Sequence, residues 1–561
     1  MRQKYLLLYL LALVKLVLPF LLQDGVYEPH RDEFLYLAEG RHMAWGYMEV
    51  PPLLSVFAWL TNLFGGGFFW IKFWPSLFGA LTYLIVGRMV LALGGRLFAL
   101  LLAFLPFVFG AYLRTHYLFQ PGFLEIFFWT LLAYALVRYM QSRTPGEPRT
   151  AGWVQGPSGS RGPGGGDGAH AERWLWLAGF AAGLGMLSKY SMLFFATSLI
   201  GGLLLTPQRR LFWNRHGLYA LAIAFVLFLP NLLWQWRHGF PVVYHMNELQ
   251  RTQLQYVSPA TFFTEQLLFN LACIYIWIHG LVFVGFSREG RPYRFIGWAF
   301  VMLLALLALG HAKGYYSLGV YPILFGFGAV RLERLTAKRL SFLRYVMVAG
   351  SVLGGYAFIM TGLPVMPPQQ LAEHYANTGL ARKAGALRWE DLKDHPLPQD
   401  FADMLSWKEM TRKVAAAYAT LDAREKSQTL LFCDNYGQAG AVNYYGPQYG
   451  LPPAYSANAS FIYWMPEDYY QYNTLLLVTD DQQEMEHPFI HEFASARLMD
   501  SVTNPYAREY GSLILLLKGP SPTFRKAFVD KIDKTRFKTT ATGVTGSGAP
   551  PNELEQGGSL H

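Results

Sequence analysis

Apolar residues recur along the first two thirds of this chain in runs close to the ~20 residues that an α-helix needs to cross a hydrocarbon layer. The runs are Tyr5–Leu22, Phe68–Leu93, Leu97–Leu113, Phe119–Met140, Trp174–Leu187, Ser191–Thr206, Leu218–Trp236, Phe262–Phe286, Phe295–Leu309, Tyr315–Val330 and Phe342–Gly362. They predict about eleven transmembrane helices. After Gly362 the pattern changes. Leu405–Leu421 looks helical, whereas Thr429–Phe432, Thr474–Val478 and Leu513–Leu517 are short apolar runs bounded by polar residues, as buried strands are. CDNYGQAGAVNYYG predicts a turn and a helix directly after the first of these strands. The pattern thus predicts a polytopic α-helical membrane domain over 1–362 and a C-terminal α/β domain over 363–538. Residues 141–172 are rich in Gly, Pro and Ser and read as a disordered loop inside the first domain, and 539–561 read as a flexible tail.

Composition supports a membrane protein, since 53% of the 561 residues are hydrophobic and only 15% are charged. The net charge of +10 does not point to nucleic acid. When the spans are threaded alternately, the basic residues Arg2, Lys4, Arg96, Arg138, Arg143, Arg149, Arg161, Arg173, Arg209, Arg210, Arg215, Arg288, Arg291, Arg294, Arg331, Arg334, Lys338, Arg339 and Arg344 fall on one side. That is the positive-inside pattern, with the N-terminus cytoplasmic and the C-terminal domain extracytoplasmic. Met1-Arg-Gln-Lys and the run after it resemble a signal sequence, but no small-residue cleavage site follows, so a retained first span is expected. Cys273 and Cys433, one in a span and one in the outer domain, imply no disulfide framework.

The same threading places the loop Asp24–Leu54 outside. It concentrates Asp24, Glu28, His30, Arg31, Asp32, Glu33, Glu39, Arg41, His42 and Glu49 beside an apolar span. Charge at a bilayer edge is costly unless it is paired or does chemistry. The outer ends of later spans carry Arg114, His116, Gln120, Glu125, Lys189, Arg237, His238, His245, Glu248, Arg251, His311, Lys313, Tyr315 and Tyr316. Carboxylates in one loop and cations in others suit transfer from a lipid phosphate. Cations bind the leaving phosphate, and a carboxylate, Asp32 or Glu33, takes the proton of the acceptor hydroxyl. Each residue also has a plainer reading. Lys189 suits a snorkelling lysine and Arg114 a helix anchor. Glu125 suits a helix N-terminus, and Tyr315 and Tyr316 suit an aromatic belt. The histidines lack metal-ligand spacing, so no protein metal site is expected from them. One of the two adjacent carboxylates at 32 and 33 is enough to cap a helix running to about Trp45, which leaves the other to be explained.

Four segments in this order, HRDEFLYLAEGRHMAWGYMEVPPL, LGMLSKYS, PNLLWQWRHGF and KGYYSLGVYP, resemble the GT-C glycosyltransferases. The likeness is to the bacterial branch related to protein O-mannosyltransferases and to the aminoarabinose transferase of lipid A. DNYGQAGAVNYYGPQYGLPPAYS in the outer domain is similar to a segment of those proteins. The resemblance implies inverting transfer of a hexose or pentose from a polyprenyl-phosphate donor to a lipid, glycan or protein acceptor outside a bacterial inner membrane. It implies Asp32 as general base and Glu33 as its support. Arg114, Lys189, Lys313 and Tyr315 match positions that hold the donor phosphate. Glu49 stands where relatives have histidine or aspartate. LFQPGFLE departs from the pattern near Gly122, where relatives often carry an acidic residue, so Gln120 or Glu125 would stand in. With His116 and Arg251, these are the candidate acceptor or sugar ligands. No cofactor is implied for certain, and a divalent cation is compatible with the pattern.

Two other readings compete. A transporter or flippase for a lipid-linked saccharide predicts buried mid-span polar groups and repeated halves with broken helices. An assembly protein without catalysis leaves Asp32 and Glu33 incidental. The aromatic stretches YYGPQYG and AYSANASFIYWMP suit stacking on sugars and suit a packed core equally.

Overall fold

A computed structural model of the protein describes residues 2–143 and 168–541. The residues expected to form the disordered loop and the tail lie almost entirely outside this range, at 144–167 and 542–561. Contacts divide the chain into two compact units. One comprises Met1–Leu21, Phe73–Leu232 and Arg251–Leu363. The other comprises Leu22–Lys72, Leu233–Gln250 and the residues from Pro364 onward.

The first unit is helical. Among the described residues, six helices of the chain are long and apolar enough to cross a membrane: Arg2–Leu22, Phe68–Ala92, Gly122–Arg143, Arg215–Arg237, Arg291–Leu309 and Leu343–Gly362. Pro259–Leu268 and Leu271–Phe286 make a seventh if this pair, bent by 57°, is one span. The expected count of about eleven is not reached by this measure, because several apolar runs are interrupted. The run Leu97–Leu113 is helical to Val108 and resumes as the single turn Tyr112–Thr115. The run Tyr315–Val330 begins as a 3-10 helix, Gly314–Val320, and becomes α-helical only at Tyr321.

Packing in this unit relies on close backbone approach and on internal polar pairing, as expected where lipid supplies no hydrophobic drive between helices. A Cβ added at Gly328 would fall on the Ile276 carbonyl oxygen, and one at Gly280 on the Leu324 carbonyl oxygen. Lys15, in the first span, is fully buried, and its Nζ donates to the carbonyls of Phe107 at 2.8 Å and Tyr112 at 3.2 Å. Glu333 accepts the backbone N–H groups of Arg96 at 2.7 Å and Ala99 at 2.9 Å, satisfying donors that open the helix Leu97–Val108.

The second unit is built on a five-stranded sheet of order β2-β1-β3-β5-β4. The strands are β1 Thr429–Cys433, β2 Ala454–Tyr455, β3 Thr474–Thr479, β4 Phe493–Ser501 and β5 Leu513–Pro520. Strands β1, β2 and β3 pair in parallel, while β5 runs antiparallel to both β3 and β4. The three strands legible in the sequence are the inner ones, β1, β3 and β5, whose apolar residues are buried on both faces. The edges β2 and β4 carry no such run. Three helices of this unit are α1 Arg31–Glu39, α2 Trp407–Ala419 and α3 Tyr436–Tyr445. Helix α1 belongs to the charged loop that follows the first span.

Candidate functional site

Helix α1 starts with a capping box. His30 is the N-cap, and its Nδ1 accepts the backbone N–H of Asp32 at 3.1 Å. The Glu33 carboxylate reaches back to accept the His30 N–H at 2.8 Å. Glu33 also lies 2.7 Å from Lys72 Nζ through both oxygens, and neither side chain of this pair is exposed. Of the two adjacent acids, Glu33 is therefore the one committed to capping and ion pairing.

Asp32 projects differently and stays partly exposed. Its Oδ1 accepts the hydroxyl of Tyr436, the first residue of α3, at 2.6 Å. The Arg31 guanidinium lies 4.7 Å from the centre of the Tyr436 ring. Burial alone would push the Asp32 carboxyl up. Beside His30, the Tyr436 hydrogen bond and the guanidinium groups of Arg31 and Arg508 hold the carboxyl below its usual range. Asp32 is thus ionised at neutral pH.

The surroundings of Asp32 are tied to distant sequence. The Arg31 N–H donates to the Asp403 carbonyl at 3.0 Å and the Glu28 N–H to the Met404 carbonyl at 2.8 Å. Glu28 accepts the Lys408 N–H at 2.8 Å, and burial pushes its carboxyl up to about 7. His30 Nε2 is 3.7 Å from Asp400 and 3.6 Å from Asp403, and Arg508 lies 3.4 Å from Asp403. Two glycines let α3 approach α1: a Cβ at Gly440 would sit 2.7 Å from Phe34 Cβ, and one at Gly437 would sit 2.5 Å from Arg31 Cγ. Their three-residue spacing puts both on one face of α3. Asn435 caps α3 by accepting the Gln438 N–H at 3.0 Å, which sets Tyr436 in the first turn.

Further along the same loop, Glu49 accepts the backbone N–H of Ser460 at 2.7 Å and its hydroxyl at 2.6 Å. The geometry makes Glu49 a tether between the loop and the sheet domain. Glu39 is fully buried, and burial, with the charge of Glu49, holds its carboxyl well above the usual range. A cavity of about 390 Å³ opens beside α1 and α3, with Phe34, Arg41, His42, Tyr444, Tyr455 and Trp464 in its wall. His42 stacks on Trp464 at 4.3 Å with 14° between the rings. The two aromatic stretches divide accordingly: Ile462 is buried in the core, while Tyr444, Tyr455, Phe461 and Trp464 line the cavity.

The remaining candidates belong to the helical unit. Lys189 donates to Glu125 at 2.8 Å and sits over the rings of Tyr316 at 4.3 Å and Tyr315 at 5.5 Å. Glu125 is almost fully buried and also accepts the Ser191 hydroxyl. Glu125, Lys189 and Tyr315 therefore form one cluster, with Lys189 its partly exposed cation. Lys313 donates to Gln253 at 2.5 Å, in the segment that carries the exposed Arg251. Arg114 is exposed in the turn Tyr112–Thr115, and Gln120 is half-buried just before the helix Gly122–Arg143. His116 is fully buried, its ring parallel to Phe107 at 6.1 Å, in the position of a core residue.

Tyr436, Arg31 and Lys72 are the residues around Asp32 and Glu33 that the sequence did not single out for these roles. The visible signal for Tyr436 was the DNYGQAG turn, with its helix cap and paired glycines. Lys72 gave none beyond a lone cation near the start of an apolar span.

A sequence model of the dolichyl-phosphate-mannose-protein mannosyltransferase family matches residues 168–234. Among curated proteins, no sequence matches the chain. The structure is similar to that of ArnT from Cupriavidus metallidurans bound to undecaprenyl phosphate, with a TM-score of 0.56 and 13% identity over 91% of this chain and 97% of that one. Against the apo state of ArnT the TM-score is 0.57, with 12% identity and the same coverage. The Archaeoglobus fulgidus oligosaccharyltransferase in complex with Zn and sulfate gives a TM-score of 0.50 and 13% identity, over 85% of this chain and 68% of that one. At such identities the likeness is one of fold. It agrees with the motifs HRDEFLYLAEGR and LGMLSKYS, and with the membrane-length helices that follow the first of them. The chain is a multi-pass membrane protein that shares the fold of ArnT.

Proposed function

We propose that the protein is a glycosyltransferase that moves a sugar from a polyprenyl-phosphate donor to an acceptor with inversion, Asp32 acting as general base. The observation that carries this reading is Asp32 itself, an ionised, partly exposed carboxylate fixed by Tyr436 on a fold shared with an enzyme solved with undecaprenyl phosphate bound. As the acceptor oxygen bonds to the anomeric carbon, its proton passes to Asp32. The bond from that carbon to the phosphate oxygen breaks, and polyprenyl phosphate leaves with the electron pair. Lys189, Arg114, Lys313 and Tyr315 are the proposed donor-phosphate ligands, with Lys189 shared between phosphate and Glu125. Arg251, Gln120 and the cavity wall at Trp464 and Tyr444 are the proposed acceptor or sugar contacts. Glu49, Glu125 and His116, by their tethering or burial, are assigned support of the fold around these contacts. The arginine and lysine distribution supports a cytoplasmic N-terminus and an extracytoplasmic sheet domain in a bacterial inner membrane.

Purified protein in liposomes, given polyprenyl-phosphate sugars and cell-envelope acceptors, tests the reading. Transfer releases free polyprenyl phosphate and glycosylates an acceptor. Movement of intact donor between leaflets, without release, would establish a flippase instead.

Tyr436→Phe tests how Asp32 is tuned. Loss of the hydroxyl removes one of the interactions that lower the Asp32 carboxyl, so the acid limb of the rate profile should move to higher pH. The rate at neutral pH should fall about tenfold through looser positioning. Superimposable pH profiles for the variant and the wild type would show that Tyr436 does not tune the base.

A further inference from the structure

The connection from β3 to β4 carries a second cluster of chemistry-bearing side chains, independent of the transfer reaction. Asp481, Glu484 and His487 recur at every third position, and one ligand atom from each lies within 4.8 Å of the others. His487 Nε2 is 3.1 Å from Asp481 Oδ2. Glu484 is fully buried, and its Oε1 has no hydrogen-bond partner. Its other oxygen accepts the Thr479 hydroxyl at 3.5 Å. Asp434, at the end of β1, likewise has a buried Oδ2 without a partner.

A buried carboxylate oxygen with nothing to accept is unfavourable, and a cation at that point removes the deficit. Lys531 acts on both Glu484 and Asp434 electrostatically and would compete with such a cation. Asp481 and His487 are 29% and 28% exposed, so an ion can enter from solvent and keep bound water. One imidazole with two carboxylates suits Zn²⁺ or Mn²⁺ better than Ca²⁺ or Mg²⁺, which prefer oxygen alone. A tetrahedral site has ligand atoms about 3.4 Å apart, a contraction that rotation of the two partly exposed side chains supplies.

We propose that Asp481, Glu484 and His487 bind one divalent transition-metal ion of the Zn²⁺ or Mn²⁺ kind, which fastens the β3–β4 connection to the end of the sheet. Full-length protein in detergent, stripped with a chelator and dialysed, should take up one equivalent of Zn²⁺ or Mn²⁺ when titrated with either ion alone. Its unfolding temperature should rise on addition. His487→Gln alters only a partly exposed side chain, so it should fold as wild type and lose at least about tenfold in affinity. Glu484→Gln keeps the shape of the buried group and should lose affinity likewise. No stoichiometric uptake of either ion by the wild type, or equal uptake by His487→Gln and wild type, would overturn the proposal.

Discussion

Asp32→Asn is expected to lower sugar transfer by about 10³-fold, within the range that a positioned general base contributes. The substitution keeps the shape of the side chain and its contact with the Tyr436 hydroxyl, so folding and donor binding should stay close to wild type. The signature is a fall in kcat with little change in donor KM, read from initial rates and from a separate donor-binding measurement. Its selectivity comes from the division of labour at the start of α1. Glu33 takes the capping and ion-pairing roles, so neutralising Asp32 leaves the helix start intact. Transfer at the wild-type rate by Asp32→Asn would remove this residue as the base.

The largest effect on stability is expected at Lys72. Replacing it by Met leaves Glu33 buried without its counter-charge, a change that costs about 3–5 kcal/mol when one partner of a buried pair is removed. The double substitution Lys72→Met with Glu33→Gln removes both charges and should recover at least half of that loss, although the helix cap is weakened. Thermal unfolding of the single and double variants in detergent measures both. Equal stability of Lys72→Met and wild type would show that the pair contributes nothing to the fold.

The contrast between these two acids shows what the sequence could carry. Two adjacent carboxylates, one more than a cap needs, were visible as an anomaly. Which one was surplus was not, because the answer depends on Lys72, 39 positions from Glu33, and on Tyr436, 404 positions from Asp32. The inner strands β1, β3 and β5 were legible because strands buried on both faces must be apolar throughout. The edge strand β4, FASARLMDS, has one face and one side toward solvent, and its mixed composition hid it. The membrane helices were legible as apolar runs but not as a count, since length alone does not reveal a break such as that after Val108. Glu125 shows the reverse case. Its place near a helix start suited a dipole role, yet its contacts are with Lys189 and Ser191, residues that only tertiary packing brings to it.

The pairing of Asp32 with Tyr436 also sets an order of events during biosynthesis. At about 5–20 residues per second, the ribosome reaches Tyr436 roughly 20–80 s after it has made Asp32. For that interval α1 exists without the α3 glycines that it packs against, and for most of it without the backbone partners at Asp403 and Met404. The loop that carries the proposed base therefore matures last although it is made almost first, and a nascent chain that stalls before β1 holds the helices of the first unit but no finished Asp32.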